Sequence, residues 1–133
     1  MTTVMVVDDE VFIVDLYRDI LKLKGFEVIA TAYDGDEAIR KLSNSEIFPD
    51  IIILDHRMPE KSGIETMAEI LEIKSDAKIL FVSADIMVEK EAIRKGAVGF
   101  LPKPFRMYEL VDAMNGIVDL VNKNPGSGGR SQT

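Results

Sequence analysis

Short β-branched runs alternate five times with longer stretches of helical period along this chain. That alternation admits few architectures, because a strand, a helix and a following strand pack back right-handedly into parallel βαβ units. The runs read as strands are Val4 to Val7, Glu27 to Thr31, Ile51 to Leu54, Lys78 to Val82 and Val98 to Leu101. Three of them are almost wholly apolar, as strands covered on both faces are. The expected fold is α/β, with a five-stranded parallel sheet and five helices.

The helical stretches carry their own signals. The first places Ile13, Leu16, Tyr17, Ile20 and Leu23 on one stripe and ends before Gly25, a good residue for the position after a helix. A shorter one runs from Asp36 to Leu42. The third opens on Ser62-Gly63-Ile64-Glu65, the spacing of a capping box, and is expected to bury Ile64, Met67 and Ile70 or Leu71. The fourth spans about Val88 to Lys95 and stops at Gly96. The fifth runs from about Arg106 to Val121 with Leu110, Val111, Met114, Ile117, Val118 and Val121 inward.

A length of 133 residues fits one domain, and 47% hydrophobic residues supply its core. Residues 1 to 122 read as that domain, and 123 to 133, rich in Gly, Ser and Pro, as a flexible tail or linker remnant. No window approaches the roughly 20 apolar residues of a membrane span, and the start lacks a signal-peptide pattern, so a cytoplasmic protein is expected. The absence of cysteine excludes disulfides and thiolate metal sites. A net charge of −7 argues against direct binding to nucleic acid or anionic membrane and suits a cation or a basic partner surface.

In such folds the C-terminal ends of the parallel strands share one edge, and ligands bind in the crevice there. Asp8-Asp9 follow the first strand, Asp55 the third, Ser83-Ala84 the fourth and Pro102-Lys103-Pro104 the fifth. A flavodoxin-like, doubly wound order 2-1-3-4-5 makes the first and third strands neighbours and brings Asp8, Asp9 and Asp55 into one pocket. Each acid alone reads as a helix cap. Two carboxylates about 4 Å apart repel by about 4 kcal/mol at an effective dielectric near 20, so three together call for counter-charge. Lys103 supplies one, and Mg2+ is the natural second, since it favours oxygen ligands and phosphoryl groups. These are the parts of phosphoryl transfer, with Asp55, fixed at a strand end, the best nucleophile.

In combination, "VVDDE", "IILDHRMP", "KSGIE", "FVSA" and "GFLPKPF" resemble the receiver domain of two-component response regulators, the chemotaxis-regulator fold, over residues 3 to 122. The resemblance implies a phosphoacceptor switch, with Asp55 phosphorylated by a sensor histidine kinase or phosphotransfer protein, followed by slow autodephosphorylation. Such a domain catalyses its own phosphorylation and dephosphorylation without turning over external substrates. The resemblance further implies that Asp8, Asp9, Asp55 and the Arg57 backbone carbonyl hold Mg2+, that Ser83 bonds the phosphoryl oxygen and that Lys103 neutralises it. Lys103-Pro104 is expected to be cis. Ser83 and Phe100 are the expected switch pair, acting on an output face of fourth helix, fifth strand and fifth helix that meets an output protein. The expected state is a monomer or a phosphorylation-linked dimer.

Arg57 and Asp85 occupy positions that tune phosphate lifetime in the family, and an ion pair between them across the mouth is expected to hinder the attacking water. His56, the single histidine, reads as an exposed loop residue with its side chain turned away from the acids. Met87 and Met107 read as candidates for partner contact on the output face. Glu109, Asp112 and Asp119 make the last helix acidic, which favours a single-domain regulator over a DNA-binding one. Three alternatives stand beside this reading: a receiver portion of a longer regulator, a receiver-like module working without phosphate, and a phosphohydrolase of the haloacid dehalogenase type. The second conflicts with the presence of Asp8, Asp9, Asp55, Ser83 and Lys103, and the third lacks its second acid because Arg57 stands there.

Overall fold

The computed structural model describes residues 1 to 123. Its strands are β1 (Thr3–Val7), β2 (Glu27–Ala32), β3 (Ile51–Asp55), β4 (Ile79–Ser83) and β5 (Gly99–Pro102). Its helices are α1 (Val11–Leu23), α2 (Gly35–Ser43), α3 (Gly63–Ile73), α4 (Glu89–Arg94) and α5 (Met107–Lys123), with a 3-10 turn over Ile86–Val88 leading into α4. The strands form one parallel sheet in the order β2-β1-β3-β4-β5. This is the expected fold. The folded part includes Lys123 in α5, one residue beyond the expected boundary, and the rest of the expected tail lies outside the described residues.

The central strands β1, β3 and β4 are the apolar ones, and both their faces are covered. One core layer joins Ile52 and Leu54 of β3 to Met67 and Ile70 of α3, Ala38 and Leu42 of α2, and Ala92 of α4. The other joins Ile51 and Ile53 to Val14, Tyr17 and Leu21 of α1 and to Leu110, Met114 and Ile117 of α5. Alternation along β3 therefore sends even-numbered side chains toward α2, α3 and α4 and odd-numbered ones toward α1 and α5. Burial of these branched residues contributes roughly 1.5–3 kcal/mol each before the entropy of ordering them is counted.

Helix faces differ from expectation where a stripe can be drawn two ways. On α1 the buried positions are Val14, Tyr17 and Leu21, while Leu16 and Leu23 point outward. The expected stripe is rotated about one position, because Val14 and Leu21 match the 3.6-residue period as well as Leu16 and Leu23 do. Val121 near the end of α5 is exposed, along an open cleft that it lines with Val118, Ile51 and Phe48. The helix ends follow their chemistry: Gly25 and Gly96 take φ of +91° and +124° after α1 and α4, a region in which a side chain is strained. Ser62 and Glu65 close the capping box of α3 from both sides, at 3.2 and 2.9 Å.

Candidate functional site

The parallel strands end along one edge of the sheet, and this carries the chemistry there. β3 ends on Asp55, whose register partner is Val82, and β4 ends on Ser83 opposite Pro102. Asp8 follows β1 directly and is held by its own N–H donating to the Ala32 carbonyl at 3.1 Å. The Lys103 N–H donates to the Ser83 carbonyl at 2.9 Å, extending the β4–β5 pairing by one bond and fixing where the lysine departs. The Lys103–Pro104 peptide is cis.

The side chains converge. Carboxylate oxygens of Asp8, Asp9 and Asp55 lie within 4.8 Å of one another, with Asp8 and Asp55 buried and Asp9 exposed. Lys103 Nζ sits 2.8 Å from Asp55 Oδ1 and 3.5 Å from Asp8 Oδ2. The other oxygen of Asp8 accepts from the Glu10 N–H at 2.9 Å, which sets the turn that starts α1. Ser83 is buried, and its Oγ accepts from the Asp85 N–H at 2.9 Å. Asp9, Glu10, Asp55, Arg57, Ser83, Ala84 and Lys103 line a cleft of about 270 Å³.

The electrostatics follow from packing three acids around one ammonium. Burial pushes the Asp55 carboxyl up to about 6; the Lys103 hydrogen bond opposes this and the nearby Asp8 charge adds to it. Asp8 is also raised, again by burial first, against the Glu10 N–H and Lys103. For Lys103, burial works against the charged form, but the hydrogen bond and charge of Asp55, with Asp8, outweigh it and hold the ammonium above its ordinary value. Tyr17 lies beneath, its hydroxyl raised by burial and by the charges of Asp8 and Asp55. One cation thus leaves the acids under-compensated. A donor set made only of oxygens, two of them buried and close together, fits a small hard divalent ion such as Mg2+ and not zinc. Asp8, Asp9 and Asp55 could each offer it one carboxylate oxygen.

Other expected residues fall differently. The ion pair expected between Arg57 and Asp85 does not form among the described residues. Asp85 caps the 3-10 turn by accepting from the Met87 N–H at 3.0 Å, while Arg57 is an exposed rim residue. Both line the same shallow depression beside Asp9 and His56. A capping bond within the chain is local and needs no long side chain to be ordered, so it prevails over a solvated pair. His56 is not an exposed loop residue: its ring packs 5.5 Å from that of Phe81, and its Nδ1 is buried with no hydrogen-bond partner. The signal was the alternation itself, because position 56 continues the inward stripe of Ile52 and Leu54. Phe100 is half-buried and stacks on Phe81 with centroids 6.2 Å apart. Met87 is exposed on the turn before α4, whereas Met107 lines an apolar groove with Ile13, Leu16, Tyr17 and Phe105, on the α1 side of α5.

Comparison with known proteins gives this edge a lineage. The family model of the response regulator receiver domain matches residues 4–115. The chemotaxis protein CheY of Thermotoga maritima is 41% identical over 115 residues, covering 84% of this chain and 93% of that protein. A probable C4-dicarboxylate response regulator of Bacillus subtilis is 34% identical over 84% of this chain, which spans only 50% of that longer protein. Among solved structures, a CheX–CheY–BeF3–Mg2+ complex from Borrelia burgdorferi superposes with a TM-score of 0.83 at 33% identity, covering 88% of this chain and 89% of that one. Sheet order, acidic edge and sequence agree, and the chain belongs to the family of response regulator receiver domains.

Proposed function

We propose that this chain is the phosphoaccepting switch of a two-component phosphorelay. An Asp55 carboxylate oxygen attacks the phosphorus of a phosphohistidine on a sensor kinase or phosphotransfer protein, the P–N bond breaks, and the imidazole leaves with its electron pair and takes up a proton. Asp8, Asp9, Asp55 and the Arg57 carbonyl would hold Mg2+, which would supply positive charge to the phosphoryl oxygens. Lys103 neutralises a further oxygen, and the Ser83 hydroxyl donates to another. Water later hydrolyses the acyl phosphate slowly. Arg57 and Asp85 stand on the rim and tune the phosphate lifetime separately by bulk and charge.

The observation that carries this reading is the 2.8 Å Asp55–Lys103 pair inside a cluster of three carboxylates. Output passes through the face of α4, β5 and α5 by way of Ser83 and Phe100, where Ile86, Met87 and Tyr108 stand exposed to meet a protein partner. The chain acts in the cytoplasm, as a monomer or a phosphorylation-linked dimer, without binding nucleic acid itself. Among the described residues no helix is long and apolar enough to cross a membrane. Intact mass after incubation with phosphoramidate or acetyl phosphate, with and without Mg2+, tests the proposal. A gain of one phosphoryl group that needs Mg2+ and vanishes in Asp55→Asn is expected; no gain under any condition refutes it.

A further inference from the structure

Between the acid pocket and β5 lies a column of three rings. His56 packs on Phe81 with centroids 5.5 Å apart and planes at 41°, and Phe81 stacks on Phe100 at 6.2 Å and 17°. The three residues sit on β4, β5 and the residue just past β3, all facing the layer that α3 and α4 cover. Phe81 is fully buried. His56 is flanked in sequence by Asp55 and Arg57, so a cation held by the Asp55 carboxylate and the Arg57 carbonyl would act on the backbone from both sides of this one ring.

The packing decides where a displacement can go. A Cβ added at Gly63 would stand 2.7 Å from the Asp55 carbonyl oxygen, 2.7 Å from His56 Cα and 3.0 Å from Phe81 Cζ, so the start of α3 is already in closest contact with the column. The Gly63 N–H donates to the His56 carbonyl at 2.9 Å, and the Ser62–Glu65 capping box anchors that wall. Lys61 anchors it further, its ammonium 2.8 Å from Asp36 on α2 and 2.6 Å from Glu69 on α3. The ring's buried Nδ1 makes no hydrogen bond, and the Glu91 carboxylate of α4 interacts with the ring electrostatically. A ring packed on Phe81 and backed by the start of α3 passes movement of its backbone toward Phe81 and Phe100.

We infer that His56 is a positioning residue that couples the state of the acid pocket to Phe100 through Phe81, by ring packing and independently of the Ser83 hydroxyl. This rests on the phosphoacceptor reading, in which the pocket binds Mg2+. A leucine or alanine at position 56 breaks the column; a phenylalanine keeps it and removes the unpartnered nitrogen.

The test uses the full chain with ring-labelled phenylalanine, the Phe100 signals being assigned by their loss in Phe100→Leu. Mg2+ alone is titrated, so that no phosphoryl group engages Ser83, while Phe100 ring shifts and the backbone amides of Asp8 and Asp9 are followed by NMR. In the wild type and in Ser83→Ala, saturating Mg2+ is expected to move both sets of signals. In His56→Ala the Asp8 and Asp9 amides still move, but the Phe100 ring shift falls at least twofold; His56→Phe restores it. His56→Leu, which keeps the volume without a ring, stands in should the alanine variant fail to fold. Wild-type Phe100 shifts in His56→Ala or His56→Leu, or no restoration in His56→Phe, overturn the coupling. So does a wild type in which the acid-pocket amides respond and Phe100 does not. Should Mg2+ move neither set of signals, the phosphoacceptor reading falls and the coupling falls with it.

Discussion

Asp55→Asn should make the metal-free protein more stable, and the gain should depend on pH. The Asp55 side chain is only 7% exposed, and its carboxyl titrates at about 6 in the fold. In the unfolded chain the same group titrates near ~4. A raised acid favours its protonated form in the fold, so the stability tied to that proton is present below about pH 4 and is lost as pH rises through about 6. Two decades at about 1.4 kcal/mol per decade put the cost of the ionised carboxylate near 3 kcal/mol at pH 8. Asparagine resembles the neutral carboxyl in shape, and its Oδ1 can still accept from Lys103. The variant should therefore gain about 1–3 kcal/mol at pH 8 and close to nothing at pH 4. In urea, with a slope of roughly 1.5 kcal/mol per molar, the midpoint rises by about 0.7–2 M. Unfolding followed by circular dichroism in EDTA at pH 4, 6 and 8 measures this. Adding Mg2+ at about 100 times its Kd stabilises the wild type by about 2.7 kcal/mol and should erase most of the difference. A variant no more stable than wild type at pH 8, or a gain equally large at pH 4, would refute the burial-and-repulsion account.

Lys103→Met removes the ammonium paired with Asp8 and Asp55, so it should lower metal-free stability at pH 8 by about 1–3 kcal/mol while Mg2+, freed of a competing cation, binds several-fold more tightly in a calorimetric titration. Gly63→Ala forces a Cβ within 2.7 Å of backbone at Asp55 and His56, and overpacking of about 1–3 kcal/mol should lower the Tm by about 5–15 °C in a thermal scan. Ser62→Ala opens the capping box of α3 and should cost about 1 kcal/mol in urea unfolding at any pH between 6 and 8, a pH-independence that separates it from the acid-pocket variants.

Period and end-of-strand chemistry made the fold readable. Parallel strands with apolar runs on both faces, spaced by helices, leave little choice of topology, and β3 places Asp55 where a five-residue strand must end. The stripe of α1 was harder, because Leu16 and Leu23 are as apolar as Val14 and Leu21, and only packing against β1 and β3 decides between them. His56 shows a different limit. Residue type suggested a solvated loop imidazole, while the two-residue period of β3 continued past its last paired residue and turned the ring inward. The Arg57–Asp85 pair failed for the opposite reason: proximity across the rim was readable, but the Met87 N–H offered Asp85 a partner two residues away. Lys61 drew no notice in the sequence, since its two carboxylate partners lie on separate helices that meet only in the fold.

In the proposed reaction Asp55 itself becomes the acyl phosphate. Sodium borohydride reduces an aspartyl phosphate to homoserine and leaves free carboxylates alone, so peptide mass spectrometry after phosphoramidate, Mg2+ and borohydride reads the acceptor directly. Homoserine at position 55, dependent on both donor and metal, is the predicted result. Homoserine at Asp8 or Asp9 in place of Asp55, at no position, or at position 55 equally with and without Mg2+ would contradict the account.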